Sequence, residues 1–351
     1  MPLIVDSHSD IAWNMLAFGR DYTRAVEETR RLEAGTRAVE LAEDTLIGWP
    51  EYQRGCVAVV FATLYAPPVR WAHNEMEMKF AYRTSDEANR IYRQQLISYQ
   101  RLTDDMPDKF RLVTRRKDLE EVLAQWEIPE LPDGSGEGHP VGLVPLMEGA
   151  DGVRSPAELE EWFELGLRLI GLAWVATRYS GGWREPGPLA PEGRVLLEAM
   201  ADHGFILDLS HMDEPAMLEA LDRYRGPVVA THGNCLALLP DFPSNRQFSD
   251  RVLEGIIERD GVVGVVPYNG YLKVGWTKGR SRREEVGLEV VVNHIDHICQ
   301  IAGDALHAGI GSDFDGGFGM QSVPPEIESV ADLQKIAPLL MQRGYTEADA
   351  A

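Results

Sequence analysis

Residues 3–10 read Leu3-Ile4-Val5-Asp6-Ser7-His8-Ser9-Asp10, a short apolar run that passes into a histidine and an aspartate two positions apart. Buried parallel strands take this form, because both faces are covered and the strand needs no polar alternation. The pattern recurs at Cys56–Leu64, Val141–Met147, Leu169–Trp174, Phe205–Leu209, Pro227–Ala230, Gly261–Pro267 and Ala308–Gly311, eight runs in all with Leu3–Val5. Between them lie segments of helical periodicity: Ala157–Gly166, Pro191–His203, Glu214–Tyr224, Arg251–Glu258 and Leu288–Ile301. Strands that alternate with helices form a parallel sheet, and eight such units in one chain predict a closed (β/α)₈ TIM barrel. Residues 11–55 and 65–140 are too long for plain connections and read as insertions after strands one and two. The second carries a predicted long helix, Met76–Arg101, and a Pro/Gly-rich stretch, Pro129–Pro140. Residues 1–351 are read as a single domain.

The bulk composition narrows the partners. A chain of 351 residues with 44% hydrophobic and 26% charged residues can bury a large core. Its formal net charge of -22 argues against nucleic acid and against anionic membrane surfaces, which both select for clustered Lys and Arg. Cys56, Cys235 and Cys299 are far apart and form no CxxC pair, so a thiolate metal site is not expected and a reducing compartment is. No signal peptide and no apolar run of membrane-spanning length is visible, and a cytoplasmic protein is the simplest expectation.

Polar residues follow the apolar runs in a consistent way. Run one leads into His8 and Asp10, run three into Glu148, run five into His211, run six into His232 and run eight into Asp313. The C-terminal ends of barrel strands surround one pocket, so groups this far apart in sequence can converge. Each has an ordinary alternative. His8-Ser9-Asp10 alone is equally well a turn with a capping aspartate, Glu148 could cap or pair with an arginine, and a lone histidine is more often structural. Two histidines at adjacent strand ends favour a shared metal, since neutral imidazole suits zinc. Asp315 reads as a turn residue beside Asp313, and His294 and His297 read as a structural pair on one helix.

Taken together, Asp6-Ser7-His8-Ser9-Asp10, Met147-Glu148-Gly149, Asp208-Leu209-Ser210-His211, Thr231-His232, Asn245-Arg246, His294-Ile295-Asp296-His297-Ile298 and Gly311-Ser312-Asp313-Phe314-Asp315-Gly316 resemble the membrane dipeptidase (renal dipeptidase) family of zinc metallopeptidases, peptidase family M19. The resemblance implies a TIM barrel of the metal-dependent, amidohydrolase-like hydrolase type with two zinc ions. It implies that His8 and Asp10 hold one Zn²⁺, that His211 and His232 hold the other, and that Glu148 bridges them. It further implies a hydroxide held between the metals that attacks a dipeptide amide, Asp313 as acid and base, Arg246 on the substrate carboxylate, and Tyr268 as a pocket tyrosine.

One position departs from the family pattern. Trp174 stands at the end of strand four, where the family usually has a histidine; an indole donates one N–H but carries neither proton nor charge. Arg178 or Tyr179, in the same loop, is the expected substitute. Two other readings stay open: a related two-metal amidohydrolase acting on another carboxylate-bearing amide or a lactone, and an inactive metal-binding protein. The expected partner is a small molecule, and a homodimer is left open.

Overall fold

The computed structural model describes residues 1–127 and 138–350. Most of the expected Pro/Gly-rich stretch, from Pro129 to Glu137, lies outside them. Among the described residues there are eleven strands: β1 Ile4–Ser9, β2 Val57–Tyr65, β3 Phe110–Leu112, β4 Val141–Glu148, β5 Leu169–Gly171, β6 Ser180–Gly182, β7 Glu185–Leu189, β8 Ile206–Asp208, β9 Val228–Val229, β10 Val263–Val265 and β11 Ala308–Ile310. Eight of them run in the order β10-β11-β1-β2-β4-β5-β8-β9, with every pairing parallel. The ring is closed between β9 and β10: Ala230 bridges to Val263, with Ala230 N–H donating to Val262 (2.8–2.9 Å for this bond and its partner from Gly264 N–H to Ala230). All eight expected strands are therefore present, and the fold is a TIM barrel.

The helices between strands bury one face each, as an amphipathic helix on a barrel must. In the helix Pro191–His203, Leu196, Leu197 and Met200 face inward; in Glu289–Ala302, Val291, Val292, Ile295 and Ile298 do. Two features differ from expectation. The predicted helix Met76–Arg101 is broken into Glu75–Lys79 and Ser85–Asp105. Thr84 restarts it: its side chain accepts from Glu87 N–H, while the Glu87 carboxylate accepts from Arg83 N–H. An antiparallel hairpin, β6–β7, also interrupts the passage from β5 to its helix. Its strands contain glycines and prolines and too few apolar residues to register as strand.

The insertions are tied to the strand ends that they cover. From the helix Ser85–Asp105, Tyr92 Oη donates to Glu148 O (2.8 Å), Tyr99 Oη donates to Thr63 O (2.7 Å), and Gln95 pairs with both backbone groups of Tyr65. No helix among the described residues is long and apolar enough to cross a membrane.

Candidate functional site

Imidazoles and carboxylates meet at the C-terminal mouth of the barrel. Glu148 Oε1, at the end of β4, lies 2.9 Å from His211 Nε2, 3.4 Å from His232 Nε2 and 3.9 Å from His8 Nε2. His211 and His232 bring their Nε2 atoms to 2.8 Å. On the other side of His8, its Nε2 is 3.7 Å from Asp10 and 3.9 Å from Asp313. All six predicted groups are thus gathered, although they span residues 8 to 313.

Buried side chains below the mouth set the orientation of the His8 and His232 rings, whose Nδ1 atoms both face Thr231 Oγ1. Asp208, at the end of β8, accepts from Thr231 Oγ1 (2.6 Å) and from the N–H groups of Ser210 and Thr231. Having donated to Asp208, the Thr231 hydroxyl can only accept from the rings, and His232 Nδ1 lies 3.0 Å from it. That fixes the proton on Nδ1 and leaves the Nε2 lone pair directed at the carboxylates, the tautomer that a metal ligand needs. Asp6 does similar work under β1 and β11, accepting from Ser9 Oγ, Ser312 Oγ and Ser312 N–H. Burial pushes the Asp6 carboxyl up to about 6 against the effect of these hydrogen bonds. Asp6 and Asp208 lie inside the quoted motifs, but only their burial under the histidines shows their purpose.

The electrostatics suit cations. Burial, followed by the proximity of Arg246, lowers the His8 imidazole to about 3; the same two influences depress His211, and burial, then His8 and Arg246, depress His232. The rings are therefore neutral and free to ligate. Burial and mutual repulsion raise Asp10 and Glu148, and burial raises Asp313 to about 7. Three buried carboxylates this close demand positive charge if they are to ionise together. Donor atoms around one tetrahedral zinc sit roughly 3.3 Å apart, which the His211–His232–Glu148 triangle matches. Gly316 leaves the space that this needs: a Cβ there would fall 2.3 Å from Asp313 Oδ1 and 2.8 Å from Asp10 Oδ2. His8, Glu148 and His232, and likewise His8, Asp10 and Asp313, form groups able to hold a metal. Two of the site residues, His211 (φ 65°) and Asp313 (φ 54°), have left-handed backbone, a strain that non-glycine residues bear mostly at functional positions.

Above these groups is a cavity of about 400 Å³ lined by Trp13, Tyr65, Trp174, Trp183, Arg184 and Tyr271, with His73 among the outer residues. Trp174 lies in it as expected, its ring 6.3 Å from that of His211. Arg178 and Tyr179 do not: the Arg178 guanidinium donates to Val153 O and Tyr179 Oη, and Tyr179 Oη donates to Val153 O, so neither replaces the missing histidine. Arg184, from the hairpin turn, is the loop residue that reaches the cavity. Tyr268 is likewise displaced from its expected place, stacked on Phe318 at 4.5 Å, while Tyr271 lines the cavity. Arg246 lies behind Tyr271, 1% exposed, with its guanidinium 5.3 Å from the Tyr271 ring centre. One nitrogen donates to His232 O (3.0 Å), and Nε and Nη1 have no hydrogen-bond partner. Asp315 is no simple turn residue: it is fully buried and accepts from Arg20, Tyr22, Thr45 and Leu46.

A family described as membrane dipeptidase (peptidase family M19) matches residues 1–351. An uncharacterised dipeptidase of Schizosaccharomyces pombe is 31% identical over 217 residues, 59% of this chain and 50% of that protein. Dipeptidase tcpJ of Claviceps purpurea is 30% identical over 214 residues, 58% of this chain and 47% of its own length. The match thus spans about half the length of these two relatives. Among solved structures, dipeptidase AC, a family M19 metallopeptidase, superposes with TM-score 0.74 at 25% identity, over 99% of this chain and 94% of its own. A metallopeptidase of Rhodobacter sphaeroides, liganded with a phosphinate mimic of the dipeptide L-Ala-D-Ala, superposes at 0.75 with 24% identity and the same coverage.

Proposed function

The chain belongs to the membrane dipeptidase family (peptidase family M19), and from that premise we propose that it is a two-metal dipeptidase that hydrolyses the amide bond of dipeptides with a free C-terminal carboxylate. The carrying observation is the convergence of three neutral imidazoles on the Glu148 carboxylate. His8 and Asp10 would hold one ion, His211 and His232 the other, and Glu148 would join them. Mixed imidazole and carboxylate donors suit zinc. Bound there, the ions would polarise the substrate carbonyl and supply hydroxide near neutral pH from a water between them.

The protein's own groups do the rest. Asp313, 3.9 Å from His8 Nε2 at the edge of this cluster, is placed to take a proton from the attacking water and release it to the leaving amine. Nε and Nη1 of Arg246 are unpartnered donors beneath Tyr271, and a substrate carboxylate would supply the charge-assisted acceptor that they lack. Trp174 offers an N–H donor but no charge. That favours a second reading, an amidohydrolase acting on another carboxylate-bearing amide or a lactone. The scattered cysteines support a cytoplasmic location.

A panel of dipeptides incubated with zinc-loaded protein tests the proposal. Hydrolysis of at least one, abolished by Glu148→Gln, is the expected result. If no dipeptide is cleaved, the dipeptidase assignment falls; cleavage of N-acylated amino acids or lactones alone would establish the second reading.

A further inference from the structure

We infer that the site selects a dipeptide whose amino-terminal residue is aromatic. The inference rests on the dipeptidase reading above and names its substrate class. Five rings from separate parts of the chain line one side of the cavity: Trp13, Tyr65, Trp71, Trp174 and Trp183. Four of them, Trp13, Tyr65, Trp174 and Trp183, contact in a chain edge to face, which is the stable arrangement for aromatic pairs and leaves ring surface for a guest. The Tyr65 and Trp174 centroids are 5.1 Å apart at 74°, Trp174 and Trp183 5.6 Å apart at 68°, and Trp13 and Tyr65 6.3 Å apart at 64°.

The barrel order decides which end of the substrate meets these rings. Tyr65 ends β2 and Trp174 follows β5, whereas Arg246 bonds the backbone after β9 and Tyr271 follows β10. In the ring of strands these two pairs occupy opposite arcs; Glu148 comes from β4, within the first, and reaches His232 after β9, in the second. A carboxylate on the Arg246 side therefore leaves the amino-terminal side chain facing the rings.

The wall is also held in place before anything binds. Glu185 accepts from Trp71 Nε1 (2.6 Å) and from two nitrogens of Arg70 (both 2.7 Å), clasping the β2 insertion to the hairpin. The Arg184 guanidinium lies 4.1 Å from the Trp183 ring centre and 5.5 Å from that of Trp71. Rings alone could also hold a cation, but Arg184 already occupies that role at the rim and would repel a lysine or arginine side chain. An uncharged aromatic group is what remains.

The test compares kcat/KM of the zinc-loaded protein for Phe-Gly, Ala-Gly and Lys-Gly, with binding followed separately by the shift in intrinsic tryptophan fluorescence. A Phe-Gly preference of about tenfold or more over Ala-Gly is expected, given the apolar area that a phenyl ring buries. Phe-Gly should shift the fluorescence at concentrations where Ala-Gly does not. Trp174→Leu should cut the preference severalfold, chiefly through KM, and Trp183→Leu on the hairpin turn should do the same if the first variant does not fold. Equal or better cleavage of Ala-Gly or Lys-Gly overturns the inference and leaves the dipeptidase reading standing, as does a preference unchanged in both variants. If no dipeptide is cleaved or bound, the dipeptidase reading falls and the inference with it.

Discussion

Arg246 and His294 show how much a single side chain can reveal once its surroundings are known. A buried guanidinium with two unpartnered nitrogens is costly unless an anion completes it. We expect Arg246→Lys to raise KM for a dipeptide about 10–100-fold, because an ammonium cannot reproduce the planar fork, with a smaller effect on kcat; steady-state kinetics would show it. His294 is fully buried on the helix Glu289–Ala302, where its Nδ1 accepts from Cys235 N–H (3.1 Å), three residues past His232. Burial lowers its imidazole from 6.5 to about 4. Between those values the unfolded chain binds a proton that the folded protein refuses. The contribution is therefore whole above pH 6.5 and is lost as pH falls toward 4, a swing of order 3 kcal/mol. Urea unfolding at pH 7 and pH 5 should show a smaller drop for His294→Gln than for the unaltered protein. That His294 is structural was legible from its helical neighbours; that it props the loop bearing His232 was not, because Cys235 is distant in sequence.

Among the elements, the two insertions carry what the strand pattern could not foretell. The first, between β1 and β2, is pinned to the β11 end by Asp315, which accepts from Arg20 (2.9 Å), Tyr22 (2.8 Å) and Thr45 (2.6 Å). Asp315 and Glu33 more than offset the burial of Arg20, whose pKa is raised and whose charge persists. Breaking such a pair from one side leaves the other charge buried and alone. Asp315→Ala should therefore destabilise the protein by roughly 3–5 kcal/mol. It should also lower activity, since Asp313 lies in the same turn and the Asp10 N–H donates to the neighbouring Phe314 O (3.1 Å); chemical denaturation beside a hydrolysis assay would measure both. A glycine-like turn at 315 would predict neither effect. The second insertion and the β6–β7 hairpin together roof the cavity. The hairpin escaped sequence reading because it is sealed by close glycine packing, with Gly181 against Gly187, rather than by an apolar face.

For the molecule as a whole, the proposed two-ion site, where three carboxylates and three imidazoles gather, should tie folding to cation binding. With the cations removed, Asp10, Glu148 and Asp313 repel one another in a buried setting. Chelation should lower the melting temperature, and added zinc should restore it, by about 3 kcal/mol per site at a hundredfold excess over Kd. A melting curve indifferent to both would remove the two-ion reading. The sequence by itself determined the barrel, through eight apolar runs separated by segments of helical periodicity, and it pointed to His8, Asp10, Glu148, His211, His232 and Asp313, because strand ends in such a barrel must share one mouth. Those signals are local or follow from topology. Only the tertiary structure decided that Arg178 and Tyr179 turn away from the cavity, that Tyr271 lines it in place of Tyr268, that Asp315 is an anchor, and that rings from distant loops meet around Trp174. Such contacts depend on how loops of unrelated sequence pack in three dimensions, and no periodicity along the chain records that packing.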